Sequence, residues 1–255
     1  MARRPNFIFI LADDLGYADL GCMGARDEHG APADVSPRLD RLAGEGMRFT
    51  RAYANSSVCS PTRFALITGR WQYRLRGGAE EPLPSVIGDK VLGLPPGHPT
   101  LPSLLRDAGY RTALIGKWHL GHPPSSGPRL SGYEEFFGFH SGGADYFAHT
   151  DPRGRADLWR NETPVTEDGY LTDLFSREAV NFIERQAPDT PFLLSLHYNA
   201  PHWPWLTRDD REESLRIDGV GKHTDGGSLA AYRRMIHHMD EGIGWVLDAL
   251  ERKGL

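Results

Sequence analysis

The 255-residue chain has few cysteines, little net charge and no long apolar run, and each absence argues against a class of protein. Its two cysteines, Cys22 and Cys59, do not suggest a disulfide framework. The 29 lysines and arginines against 34 aspartates and glutamates do not suggest a nucleic-acid binder or a polybasic membrane segment. No apolar stretch approaches the length of a transmembrane helix.

The N-terminus combines basic and apolar residues in a way that mimics a very short signal peptide. Residues 1–4 are basic, and residues 7–12 are apolar. This apolar run is too short for a signal sequence and leads straight into Asp13 and Asp14, so a buried first strand explains it better. The sequence therefore predicts a cytoplasmic chain without a membrane span, unless a signal has been removed.

Predicted strands and helices alternate along the chain. Strands or extended segments are predicted at residues 7–12, 47–53, 110–115 and 191–198. Helices are predicted at residues 36–46, 59–69, 100–109, 171–185 and 228–252. Residues 123–170, rich in glycine, proline and aromatic residues, are predicted to be irregular. The alternation predicts an α/β domain with a mainly parallel sheet flanked by helices.

A C-x-P-x-R-x4-T-G string runs from Cys59 to Gly69. Pro61 suits the start of a helix and Gly69 can close it, which places Cys59 at or just before a helix N-terminus. Unpaired N–H groups and the positive end of the helix dipole favour an anion there, and Arg63 follows one turn later. The string indicates a nucleophile beside an anion site, whereas most lone cysteines are partly buried structural thiols.

Polar residues directly follow three of the predicted strands. Asp13 and Asp14 follow the first strand, Lys117 and His119 follow the strand at 110–115, and His202 follows the last strand. In open α/β sheets, ligands bind at the carboxyl ends of the strands. We therefore expect these three segments to converge on one site near the N-terminus of the helix that begins at the cysteine.

The side chains of these residues suit an anionic substrate and a cation. Adjacent carboxylates repel each other and suit a hard divalent ion such as Ca²⁺ or Mg²⁺, although a solvated turn or helix cap is an alternative. Lys117 offers a fixed positive charge and His119 can shuttle a proton; the alternative is a surface lysine and a hydrogen-bonded structural histidine. His202 is either a site residue or an imidazole packed in a proline-flanked loop.

Taken together, the motifs resemble those of the type I sulfatases, the formylglycine-dependent arylsulfatase family. Residues 5–17 resemble the family's opening strand and metal loop, and residues 36–55 resemble its next helix–strand segment. Residues 59–69 match its first signature, residues 109–119 match its second, and the loop at 201–204 also fits. The similarity covers essentially the whole chain and implies an alkaline-phosphatase-like sulfatase core.

The resemblance implies a nucleophile and a cofactor. Cys59 would be oxidised to formylglycine by a maturation enzyme, and Asp13, Asp14 and residue 59 would bind Ca²⁺, with Mg²⁺ as the alternative. One hydroxyl of the hydrated aldehyde would attack the sulfur of a small-molecule sulfate ester and release the alcohol. His119 would deprotonate the other hydroxyl so that sulfate is expelled.

The resemblance also implies which residues hold the nucleophile and the substrate. Arg63 would hold the formylglycine. Lys117 and His202 would bind the sulfate oxygens, and one of the two would protonate the leaving oxygen. Ser141 would add a hydrogen bond to the substrate.

The chain departs from the family pattern at its C-terminal end. The family's other metal ligands lie in an Asp-Asn-Gly or Asp-His-Gly loop that follows the long helix, and a second substrate-binding lysine and a smaller subdomain come later. The sequence ends at Leu255, so residues 1–255 are expected to form an N-terminal catalytic domain with an incomplete metal site. Three functions remain open: a sulfatase, a phosphonate or phosphodiester hydrolase of the same superfamily, and an inactive anion-binding fragment.

Overall fold

A six-stranded sheet forms the centre of the protein in the computed structural model, which describes residues 4–78, 82–83, 92–217 and 227–255. The strands are β1 (Phe7–Leu11), β2 (Arg111–Lys117), β3 (Glu135–Phe139), β4 (Trp159–Arg160), β5 (Thr163–Pro164) and β6 (Phe192–His197). Their order across the sheet is β1-β6-β2-β3-β4-β5. The first four in this order run parallel, and β4 and β5 are antiparallel, which confirms the predicted mainly parallel sheet.

Helices cover both faces of this sheet. The described helices are α1 (Pro37–Glu45), α2 (Cys59–Thr68), α3 (Leu101–Asp107), α4 (Leu171–Glu184), α5 (Arg211–Ile217) and α6 (Leu229–Lys253). All but α5 match predicted helices. The cap residues act as the sequence indicates, since Thr100 accepts from Ser103 N at 3.2 Å and Ser228 accepts from Ala231 N at 3.1 Å. Among the described residues, none of the helices has the length and apolar character needed to cross a bilayer.

Side chains of the central strands alternate between the two faces of the sheet, and this divides the core into two layers. Ile115 of β2 and Leu196 of β6 pack on the face that α4 and α6 cover. Leu114 and Leu193, one and three positions before them on the same strands, pack on the other face against Phe64 of α2. Because successive side chains of a strand point to opposite faces, a strand that is buried on both sides is apolar along most of its length.

The first strand is not the buried strand that the sequence predicts. Phe7 and Phe9 are 43% and 36% exposed. Among the described residues β1 pairs only with β6, so it lies at the edge of the sheet. Its apolar composition is therefore a poor guide to its burial, because burial depends on the order of strands in the sheet.

Two further segments differ from the prediction. Residues 47–53 form no strand, and Met47 and Tyr53 are 80% and 86% exposed. Residues 123–170, predicted to be irregular, contain β3, β4 and β5. In β3, a Cβ added at Gly138 would lie 1.9 Å from the carbonyl oxygen of Gly116 in β2. The glycine that weakens the sequence signal for β3 is therefore required by the close approach of two backbones.

Candidate active site

Three adjacent parallel strands bring the predicted site residues to one edge of the sheet. Asp13 and Asp14 follow β1, Lys117 is the last residue of β2, His119 comes two residues later, and His202 follows β6. The N-terminus of α2 lies at the same edge, where the first residues after β1 and the start of this helix line one cleft of about 220 Å³. The positions match the convergence expected at the carboxyl ends of the strands.

The nucleophile candidate is the first residue of α2. Helix α2 begins at Cys59 after the extended residue Val58, and it ends at Gly69, which has φ 64°. Pro61 is therefore the third helical residue rather than the first, as the sequence suggests. It still lies within the first turn, where backbone N–H groups have no intrahelical acceptor. The half-buried thiol thus lies at the positive end of a helix, a position that favours an anion.

The imidazole of His119 faces this thiol. Its Nδ1 lies 3.3 Å from Cys59 Sγ, and its Nε2 lies 3.0 Å from the carbonyl oxygen of Leu83. A carbonyl can only accept, so Nε2 carries the proton and Nδ1 presents a lone pair to residue 59. Burial, reinforced by the charge of Lys117, lowers the pKa of His119 well below its ordinary value. The neutral imidazole is therefore arranged as a proton acceptor.

A buried charge cluster lies beside this pair. Asp13 accepts hydrogen bonds from the Lys117 ammonium and from Arg63 Nη2, the latter at 3.3 Å. All three side chains are at most 6% exposed. Burial alone would raise the pKa of Asp13, but the charges of Lys117 and Arg63 prevail and hold it well below its usual range. The cluster carries a net positive charge, which suits an anionic substrate.

Arg63 joins the ends of the central strands. Its Nη1 lies 2.9 Å from the carbonyl oxygen of Lys117 and 3.1 Å from Nδ1 of His197, the last residue of β6. Its Nη2 reaches Asp13, just beyond β1. One guanidinium on α2 therefore contacts residues at the ends of β1, β2 and β6, which fixes the helix that carries Cys59 over the sheet edge.

Asp14 and His202 lie on the more open side of the site. His202 Nε2 is 3.7 Å from Asp14 Oδ2, and its Nδ1 is 2.6 Å from the carbonyl oxygen of Trp203. Burial, followed by the charge of Lys117, lowers the pKa of His202. Asp14 and His119 have φ angles of 62° and 53°. Such left-handed conformations are uncommon outside glycine and recur at functional sites, so both backbones are held by their surroundings.

Ser141 does not contact the other predicted site residues through its hydrogen bonds. Its hydroxyl donates to the carbonyl oxygen of Gly143 at 2.9 Å, and its backbone N–H donates to Asp157 at 2.9 Å. The side chain is fully buried. A substrate contact for Ser141 therefore rests on the resemblance alone.

The described residues supply part of a metal shell. Asp13 and Asp14 offer hard carboxylate oxygens, as Ca²⁺ prefers, but Ca²⁺ takes about six to eight oxygen ligands. Among the residues that the structure describes, no group of three or more His, Cys, Asp or Glu side chains has a metal-binding arrangement. The donors fit a divalent cation in type but not in number.

Sequence reasoning missed two residues of this site. His197 contacts Arg63, and the Tyr146 hydroxyl donates to the carbonyl oxygen of His202 at 2.8 Å. A histidine at the end of the mostly apolar strand β6 was the available signal for His197. Tyr146 lies in the segment predicted to be irregular, where no periodicity marks it.

Comparison with known proteins identifies the family. The family model described as Sulfatase matches residues 5–255. The chain belongs to the sulfatase family. The human N-acetylgalactosamine-6-sulfatase is 32% identical over 266 residues, which cover 98% of this chain and 47% of that protein. The N-acetylglucosamine-6-O-sulfatase of Bacteroides thetaiotaomicron is 33% identical over 204 residues, covering 80% of this chain and 32% of that sulfatase.

A solved structure of similar sequence shares the fold. The crystal structure of Ps i-CgsB in complex with k-i-k-neocarrahexaose has a TM-score of 0.81 and 33% identity, and the match covers 99% of this chain and 56% of that chain. The prediction of an alkaline-phosphatase-like sulfatase core is confirmed. The chain spans about half the length of the curated relatives it matches.

Proposed function

We propose that the protein hydrolyses sulfate esters with a formylglycine generated from Cys59 by a maturation enzyme. The observation that carries the proposal is the contact of 3.3 Å between Cys59 Sγ and the lone-pair nitrogen of His119, at a helix N-terminus. A hydrated aldehyde at residue 59 supplies one hydroxyl to attack sulfur and a second whose deprotonation expels sulfate and restores the aldehyde. The complete C-x-P-x-R string supports the modification.

His119 is the proposed base. Its Nδ1 faces residue 59, and its Nε2–H is anchored to the carbonyl oxygen of Leu83, so the ring has one orientation and one tautomer. A neutral imidazole accepts a proton directly from a hydroxyl at residue 59. Burial and the charge of Lys117 lower its pKa, so the imidazole remains unprotonated and its lone pair is available to accept a proton.

Lys117 and His202 are the proposed sulfate-binding residues, and Arg63 is proposed to hold the formylglycine. Lys117 is fully buried and has Asp13 as its carboxylate partner, so its ammonium is a fixed cation at the sheet edge. His202 faces the same edge beside Asp14. We assign a hydrogen bond from Ser141 to the substrate on the family resemblance alone.

Ca²⁺ is the proposed cofactor, with Mg²⁺ as the alternative, and Asp13, Asp14 and residue 59 are its proposed ligands in this chain. The cation would act as a Lewis acid that raises the acidity of a hydroxyl at residue 59. Calorimetric titration of the 255-residue chain tests this assignment. Binding that is unchanged in both Asp13→Ala and Asp14→Ala would show that the two carboxylates are not ligands.

A sulfated amino sugar is the proposed class of substrate. The support comes from the relatives, which are named N-acetylgalactosamine-6-sulfatase and N-acetylglucosamine-6-O-sulfatase. Turnover of a 6-sulfated N-acetylhexosamine should exceed that of p-nitrophenyl sulfate. Phosphonate and phosphate diesters are added as competing substrates. If they are hydrolysed faster than the sulfate esters, the alternative hydrolase activity would be favoured.

Mass spectrometry tests the modification directly. After co-expression with a formylglycine-generating enzyme, the tryptic peptide of residues 52–63 should carry oxygen in place of sulfur with the loss of two hydrogens. A peptide that remains entirely cysteine would contradict the proposal. Cys59→Ser is the matched variant, because serine has one hydroxyl, can accept a sulfo group, and has no second hydroxyl with which to expel it.

The base is tested by turnover of an aryl sulfate. In a complete enzyme, His119→Ala should slow hydrolysis about a hundredfold or more, the range typical of a lost acid–base group. A near-normal rate would remove His119 from the mechanism. If neither the mature chain nor its variants hydrolyse any sulfate ester while anion binding persists, the chain acts as an anion-binding fragment instead.

A further inference from the structure

His197 is a buried histidine that neither the motif nor the resemblance assigns. It ends β6 directly beside Gly116 of β2, and it is 7% exposed. Its ring lies against Phe9 with an edge-on geometry and a centroid separation of 6.2 Å. Its Nδ1 is 3.1 Å from Arg63 Nη1, so the imidazole contacts the arginine of the C-x-P-x-R string rather than the nucleophile itself.

The hydrogen-bond geometry fixes the tautomer of this ring. Arg63 has only donors, and its Nη1 supplies two hydrogens, which point to the carbonyl oxygen of Lys117 at 2.9 Å and to His197 Nδ1 at 3.1 Å. If Nδ1 of His197 carried a proton, two donors would face each other inside the protein. The ring is therefore neutral, with its proton on Nε2, and the 3.3 Å approach of Nδ1 to the Lys117 carbonyl oxygen is not a hydrogen bond.

We propose that His197 is a positioning residue that orients Arg63 by accepting a hydrogen bond from its Nη1. A neutral acceptor has a specific advantage at this place. A carboxylate would neutralise the guanidinium and compete with Asp13, which accepts from Nη2 of the same group. The imidazole instead fixes the plane of Arg63 and leaves its full charge available to Asp13 and to residue 59. Burial, followed by the charge of Arg63, lowers the pKa of His197 to about 3, consistent with a neutral ring.

Nitrogen NMR of the histidine side chains tests the contact without any activity. In the ¹⁵N-histidine-labelled chain, His197, identified by its absence in His197→Asn, should be the Nε2–H tautomer with an unprotonated Nδ1. In Arg63→Met the donor is lost, and Nδ1 should become protonated and donate to the carbonyl oxygen of Lys117. A protonated Nδ1 in the unmodified chain would overturn the proposal, whether or not the Arg63 variant folds.

A second pair of variants tests the consequence for catalysis, which rests on the proposed sulfatase function. Asparagine at 197 can place its amide oxygen near the position of Nδ1, whereas leucine fills similar space without an acceptor. In the mature protein, His197→Leu should lower kcat about tenfold or more with little change in KM, and His197→Asn should recover most of the rate. Urea unfolding of both variants measures any difference in stability.

The two experiments distinguish a failure of the positioning role of His197 from a failure of the proposed sulfatase function. Equal loss of kcat in His197→Leu and His197→Asn, at equal stability, would overturn the role of the acceptor. A complete enzyme with this domain that matures but hydrolyses no sulfate ester would refute the proposed function. The tautomer measured by NMR would in that case still decide whether His197 orients Arg63.

Discussion

Replacing Asp13 by asparagine should destabilise the protein far more than the same change at its neighbour Asp14. Asp13 is the carboxylate that faces Lys117 and Arg63, whose side chains are 0% and 2% exposed. Asparagine keeps the size and one acceptor oxygen but removes the charge, so two buried cations lose their carboxylate partner. Removing one partner of a buried ion pair costs about 3–5 kcal/mol, and we expect a loss in this range for Asp13→Asn.

Asp14→Asn is the matched control. The Asp14 side chain is 59% exposed, and Nε2 of His202 lies 3.7 Å away, on an imidazole whose lowered pKa leaves it neutral at pH 7. Exposed pairs contribute about 0–1 kcal/mol, so this variant should unfold at nearly the same urea concentration as the unmodified chain. Tryptophan fluorescence at pH 7 with EDTA present reports unfolding and keeps metal binding out of the comparison. Equal midpoint shifts in the two variants would refute the reasoning.

The stability difference between the unmodified chain and Asp13→Asn should depend on pH in a definite direction. The pKa of Asp13 lies below its ordinary value of 3.8 in the folded protein, so the folded state binds its proton less readily than the unfolded state does. The stabilisation is therefore complete above about pH 4 and declines as the pH falls through the lower, folded-state pKa. The stability difference between the unmodified chain and Asp13→Asn should narrow on acidification below pH 3.8. A difference that widens there would contradict the assignment of the charge.

Three more outcomes are expected. Thr100→Ala should cost about 1 kcal/mol in urea unfolding, because it removes the cap of α3, and an unchanged midpoint would show that the cap is dispensable. Gly116→Ala should lower the free energy of unfolding by about 3 kcal/mol more than Gly24→Ala does. Both glycines have positive φ, but only a Cβ at Gly116 would meet a carbonyl oxygen of β6, at 1.8 Å. The 255-residue chain should self-associate in light scattering, and Tyr53→Ser with Trp71→Ser should reduce this; a monodisperse monomer would contradict it.

Local signals in the sequence predicted most of the helices and the place of the site. Caps such as Thr100 and Ser228 act within three residues, and the carboxyl ends of parallel strands coincide in any open α/β sheet. These features need no knowledge of distant contacts. The positions of Asp13, Lys117 and His119 followed from them. Their chemical roles, the metal and the cytoplasmic localisation stay predictions.

Features that depend on distant partners could not be read from the sequence. The exposure of β1 depends on which strands lie beside it. Strand β3 requires Gly138, because a Cβ there would collide with the backbone of β2. His197 meets Arg63 across a separation of 134 residues. A strand ending in histidine is unremarkable until the fold places a guanidinium opposite its ring.

The position of β6 between β1 and β2 has a consequence for the chain while it is being synthesised. The run of residues 7–11 is made early, but its partner strand in the sheet lies at residues 192–197. At about 5–20 residues per second, a ribosome takes on the order of ten to forty seconds to supply that partner. During this interval an apolar pentapeptide of high β-propensity has no sheet to join, and such segments pair readily with copies of themselves.

Charged residues close to an unpaired apolar segment act as gatekeepers against this pairing. Arg4 precedes the run, and Asp13 and Asp14 lie two and three residues after it. In the nascent chain the apolar run therefore lies between one cation and two anions. If two nascent chains paired these runs in parallel and in register, the like charges would lie side by side and repel each other. We expect the acidic pair to protect the nascent chain from aggregation before Asp13 forms its ion pairs with Lys117 and Arg63.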